Sequence, residues 1–149
     1  MTRRLIGLAI NTRATGEIDH VAALDKPGIR VGVVRKTVAS QVARRQLERT
    51  LRIPFFHSRT LPDALIEGKL DAYLGAQPGP RFAALLHPTM VEVPFEEPIL
   101  RTHEGMAVHK GDLELLGYLN QWIKANRTDG WLGAVRRHWF DSLDWRRRE

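Results

Sequence analysis

Apolar positions change period within two dozen residues of Gly28. Ile29, Val31, Val33 and Val34 form a β-branched run of the kind that a strand covered on both faces requires. From Val38 onward the apolar residues Val38, Val42 and Leu47 fall at helical spacing, so the period breaks at Arg35-Lys36-Thr37. The pattern predicts a strand, a short polar turn and a helix. Such a turn presents unpaired amide groups and the positive end of the helix dipole, and Thr37 or Ser40 can add a hydroxyl. It is therefore a candidate anion site. It lacks the glycines of a phosphate-cradling loop, which favours a carboxylate or small polar ligand over a nucleotide. The plainer alternative is that Thr37 only caps its helix.

The rest of the chain reads in the same way. Leu5 to Asn11 is expected to form a strand, followed by a connector with a short helical piece at His20 to Leu24 and a turn at Pro27-Gly28. Arg52 to Phe56 predicts a second strand, with Pro54 pointing to a sheet edge. A helix is expected to open at Thr60, with Asp63 as capping partner, and to close at Glu67-Gly68. Leu70 to Leu74 predicts a strand, Gly75 to Pro80 a loop, and Arg81 to His87 a helix stopped by Pro88. Met90 to Val93 and Gly105 to His109 are the last expected strands. Alternation of this kind argues for an α/β fold with parallel strands and ligands at their carboxyl ends.

From Asp112, a good cap, only helix is expected, with Leu115, Leu116, Leu119, Trp122 and Ile123 on one face. Asp129-Gly130 interrupts it before Trp131, Leu132, Val135, Trp139 and Phe140 repeat the pattern. With Trp145 this makes a large apolar surface, which either packs within one core or requires a partner.

Composition narrows the function classes. A chain of 149 residues with 43% apolar content fits one folded domain, or one domain plus an appendage. It has no cysteine, so disulfides, thiolate metal sites and thiol nucleophiles are excluded. The net charge of +6 permits nucleic-acid or membrane-surface binding. However, the arginines are dispersed, Arg146 to Arg148 read as a solvated tail, and no base-reading motif occurs, so no nucleic-acid partner is expected. The six histidines show no metal-ligand spacing. The apolar run after Arg3-Arg4 stops at Asn11, too short for a signal peptide, and nothing approaches a membrane span; a soluble chain without an export signal is expected.

Five pieces in register carry a family resemblance: LAIN at 8–11, GIRVGV with RKTVAS at 28–40, GKLDAYLG at 68–75, GMAVHKGD at 105–112 and TDGWLGAVRRHWF at 128–140. Their order and spacing resemble the second half of the family 3, amino-acid-type, periplasmic solute-binding proteins, type II fold, a two-lobed clam closing on a solute. The resemblance implies a hinge strand entering at residues 1–11. It also implies a second, ligand-binding lobe at 12–104, with a mostly parallel sheet flanked by helices, then a returning hinge strand and helical tail at 105–149. The first lobe, with the arginine that holds an α-carboxylate, has no counterpart. The tail is then expected to dock on its own lobe, exchange in a homodimer or meet a separate first lobe.

The family's Gly-Thr-Thr-like turn corresponds to Lys36, Thr37 and Val38, so Thr37 keeps the first threonine and Lys36 replaces the glycine. Ala76 stands where amino-acid binders place an aspartate for the ligand's amino group, and Asp71 reads as a structural residue of its strand. The resemblance thus implies a non-catalytic solute-binding protein of the ABC-transporter type, periplasmic, with a permease partner and no cofactor or metal. Its site for a small polar or anionic solute centres on Arg35, Lys36, Thr37 and Gln77. The alternative is an enzyme: AALDKPGIRVGV at 22–33 looks most like the cyclohexadienyl dehydratase branch, acting on prephenate or arogenate. That chemistry needs a proton donor, and residues 76–82 contain neither carboxylate nor histidine.

Overall fold

A computed structural model describes residues 2–95 and 97–141. Trp145 and the arginines at 146–148 lie outside the described residues. The chain divides into two units, one of residues 4–102 and one of residues 1–3 and 103–149.

The first unit is built on a six-stranded sheet. Its strands are β1 (Thr2–Asn11), β2 (Arg30–Val34), β3 (Leu51–Phe55), β4 (Ala72–Ala76), β5 (Val91–Glu92) and β6 (Leu100–Glu104). The order is β3-β2-β4-β1-β5, with β6 also pairing β1. Helices α1 (Val38–Gln46), α2 (Thr60–Ile66) and α3 (Gly79–Leu86) follow β2, β3 and β4. The sheet is mixed. β2 runs parallel to β3 and β4, whereas β1 is antiparallel to β4 and β5. Parallel pairing needs a long crossover, usually helical, and α1 and α2 supply it. Between β1 and β2 only a 3-10 turn forms, at Val21–Leu24.

Both sheet faces are covered, as the β-branched run demands. On one face Ile6, Leu8, Val31, Val33 and Leu74 meet Ala39, Val42 and Ala43 of α1, together with Leu24 and Leu47. On the other, Ala9 and Tyr73 meet Leu61, Ala64 and Leu65 of α2 and Ala83 of α3. Gly32 lies on this second face because a Cβ there would collide with the side chains of Leu61 and Leu70. At the amino ends of the strands Asp71 accepts from the Arg30 amide (2.7 Å) and from both Nε (3.1 Å) and an Nη (2.6 Å) of its guanidinium. Burial pushes the Asp71 carboxyl up, but the hydrogen bonds and charge of Arg30 outweigh it and hold the group below its usual range. The structural reading of Asp71 agrees with this placement.

Several boundaries differ from expectation. β4 begins two residues later than expected, because Leu70 and Asp71 are spent on core contact and on the Arg30 pair. α3 starts at Gly79, since Pro80 is tolerated in a first helical turn. Thr60 does not cap α2: the cap is Arg59 without a side-chain bond, and the Thr60 hydroxyl donates to the His57 carbonyl (2.8 Å). Asp63 remains in the first turn, where its charge complements the dipole. The last strand is Leu100–Glu104 rather than Gly105 to His109, and residues 105–109 are irregular.

The second unit contains α4 (Leu113–Thr128), α5 (Trp131–Arg136) and a π-helical turn (Arg137–Asp141). Asp112 caps α4 as expected, its carboxylate accepting from the Leu115 amide (3.0 Å). Gly130, at φ 82°, makes the break before α5, and Trp122 meets Trp131 edge-on at 5.9 Å. None of the described residues of these helices is buried: Leu113 is 75% exposed and Trp131 49%. No described helix is long and apolar enough to cross a membrane.

Candidate functional site

Because β2 and β4 are parallel neighbours, the turns that open α1 and α3 emerge side by side at one edge of the sheet. This brings Arg35, Lys36 and Thr37 to the same edge as Gln77, which follows β4. The third parallel strand, β3, adds Phe56 and His57 beside them.

Thr37 is the N-cap of α1. Its hydroxyl donates to the Val34 carbonyl (2.7 Å) and accepts from the Ser40 amide (3.3 Å), while the Thr37 amide donates to the Ser40 hydroxyl (3.2 Å). The plainer reading of Thr37 therefore holds at least in part: its hydroxyl proton is committed to the fold. The remaining donors of the first turn are the Val38 and Ala39 amides. Lys36 sits at φ 57°, in the left-handed region, so its backbone keeps the conformation natural to the glycine that the resemblance places there. Arg35 donates its amide to the Phe55 carbonyl (2.9 Å) and holds its guanidinium 5.1 Å above the Phe56 ring. Phe56 is itself 74% exposed, so this cation–π pair orients a solvent-facing charge.

Gln77 is fixed from both ends of the residue. Its amide donates to the Leu5 carbonyl (2.8 Å) and its Oε1 accepts from the Arg81 amide (3.4 Å) in the first turn of α3. The peptide that joins it to Pro78 is cis. The side chain lies over Gly7 of β1, where a Cβ would run into the Gln77 amide group. Gly7 and Phe56 thus touch candidate residues although the chain pattern did not single them out. Phe56 falls at the end of one expected strand and Gly7 within another, Leu5 to Asn11; only the pairing of distant strands places them.

Tyr73 packs beneath this edge, its ring against Gly75 and near Pro80. Its hydroxyl is buried with no hydrogen-bond partner among the described residues, and burial pushes its pKa well above the ordinary tyrosine value. No cluster of three His, Asp or Glu that could hold a metal ion occurs among the described residues. A groove lined by Asn120, Ile123, Lys124, Arg127 and Thr128 takes all its walls from the one helix α4.

The fold is similar to part of solved amino-acid solute-binding proteins. No family model matches the chain, and no curated protein matches it. Among solved structures it is similar to a binding component of an ABC transporter from Wolinella succinogenes complexed with lysine, with TM-score 0.85 and 17% identity, covering 99% of this chain and 63% of that one. It is also similar to an ancestral cationic amino acid solute-binding protein, with TM-score 0.77 and 25% identity over 93% of this chain and 59% of that one. A third is an ancestral amino acid-binding protein that is a precursor of cyclohexadienyl dehydratase, with TM-score 0.75 and 24% identity over 93% and 58%. The chain spans about three fifths of the length of each of these proteins.

Proposed function

We propose that this chain is the solute-binding lobe of an ABC-transporter binding protein acting in the periplasm. It holds a small polar solute at the edge formed by Arg35, Lys36, Thr37 and Gln77. The observation that carries the reading is the pairing of β2 with β4, which sets two strand-to-helix turns next to each other and gathers these four residues at one edge. Solved proteins of the same architecture support it, being amino-acid binders in their descriptions.

Binding rather than dehydration is favoured. Loss of water from a cyclohexadienol needs a positioned proton donor; the turns at residues 34–41, 55–62 and 76–82 contain no carboxylic acid, and the turn at 76–82 no histidine either, which leaves His57 as the group a dehydratase would have to use. The exposed apolar residues of α4 and α5 support a further partner for this chain, either a second copy or a complementary first lobe, and a transporter permease would receive the loaded protein. A thermal-shift and calorimetric screen of the chain against amino acids and small organic acids tests the reading. Saturation at a hundredfold above Kd adds about 2.7 kcal/mol, a rise of several degrees in Tm. Gly7→Ala, which displaces Gln77 without changing it, should weaken that response. If no solute shifts the Tm, and no amide signal from residues 35–40 or 77 moves on titration, the site assignment fails.

A further inference from the structure

The carboxyl-end edge of the parallel strands is cationic in a way that the amino-end edge is not. Three turns reach it: residues 34–41 after β2, 55–62 after β3 and 76–82 after β4. Together they carry Arg35, Lys36, Arg59, Arg81 and the imidazole of His57, with Asp63, in the first turn of α2, as the one acid that adjoins them. At the opposite edge the acids collect. Asp71 pairs with Arg30, and Asp25 accepts from the Arg49 amide (2.7 Å) and the Thr50 hydroxyl (3.3 Å). Among the described residues no carboxylate pairs with Arg35 or Lys36, and the Arg35 guanidinium is held over an aromatic ring rather than over a counter-ion.

From this charge division we infer that the solute is an organic acid carrying carboxylate groups and no ammonium group, unlike the lysine seen in one similar protein. The inference rests on the binding reading above and names the class of its ligand. A carboxylate suits the planar fork of Arg35, the point charge of Lys36 and the open amides at the start of α1. An ammonium group finds no anionic acceptor on the turns after β2 and β4, where the candidate residues lie, and position 76, at the end of β4, is an alanine. Lys36 also occupies a left-handed position that a glycine fills without steric cost, so its side chain adds charge at the turn against a backbone preference.

The test is isothermal titration of the full chain with succinate, citrate, lysine, arginine and inorganic sulfate at equal ionic strength. The expected result is heat and a Tm rise with the organic acids, and neither with lysine or arginine. Arg35→Gln and Lys36→Gly should each weaken organic-acid affinity about fivefold. Lys36→Gly should do so while keeping or raising Tm in the absence of solute, which separates lost charge from lost fold. Lysine or arginine binding more tightly than the organic acids would overturn this inference and leave the site in place. Sulfate matching the organic acids would overturn it as well, showing an adventitious ion only. Silence from every solute would overturn both the inference and the binding reading.

Discussion

Leu65 in α2 and Leu116 in α4 both lie on the apolar stripe of a helix, yet Leu65 is 0% exposed and Leu116 is 40% exposed. The difference separates two halves of one physical rule. Helical spacing defines which face is apolar, and a second layer is needed to remove that face from water. In residues 4–102 the sheet is that layer, with helices on both of its faces. In the helices from Leu113 to Asp141 no described residue reaches the buried class, although Trp122 and Trp131 touch. A helical pattern of apolar positions is present in both regions; burial is present in one.

The sharpest test of that contrast is a matched pair of truncations. Leu65→Ala should cost about 3 kcal/mol, read as a lower urea midpoint, because it opens a cavity between α2 and β4. Leu116→Ala should change stability by less than about 0.5 kcal/mol in the isolated chain. Equal effects would break the comparison. Restoration of a large Leu116→Ala effect at high protein concentration would instead show that self-association covers α4.

Asp71→Asn addresses the ion pair within the first unit, and should cost about 2 kcal/mol, discounted because Arg30 is partly exposed. The sign of its pH dependence follows from the lowered carboxyl. The folded state binds that proton less readily than the unfolded chain, so the stabilisation is complete above the unfolded pKa, about 4. It is lost as pH falls through the folded value. Acid unfolding of the wild type should therefore be steeper below about pH 4 than that of the Asn variant. Parallel curves would show that Asp71 makes no contribution as a charge.

Two smaller effects bear on helix starts. Asp112→Ala should weaken the first turn of α4 by about 1 kcal/mol, seen as faster hydrogen exchange at the Leu115 amide. The rest of α4 should fray with it if no second layer holds the helix. Lys36→Gly should stabilise the first unit by about 0.5 to 1 kcal/mol, since glycine adopts φ 57° freely. A loss of Tm would mean that the Lys36 side chain makes a stabilising contact of its own.

Much of the first unit was legible along the chain. Period changes located β2 and α1, and Asp112 and Gly130 marked the start and the interruption of the tail helices, because caps and breaks are local chemistry. Boundaries failed where tertiary bonds compete with local signals. Thr60 turned its hydroxyl to His57 instead of capping α2, and the last strand formed before Gly105 rather than after it. The grouping of Arg35, Lys36, Thr37 and Gln77 followed from the family resemblance; the apolar spacing of each segment does not say that their two turns adjoin.

The amino-acid sequence by itself determined the alternation of strands and helices, the apolar stripes and the polar turn at Arg35-Lys36-Thr37, since each depends on residues a few positions apart. The tertiary structure decided the rest. Strand order brought Gln77 to the same sheet edge as Thr37, set β1 antiparallel so that Gly7 lies under Gln77, and put Phe56 beneath Arg35. Pairing between distant segments depends on how whole faces are buried together, which no short window of the chain contains.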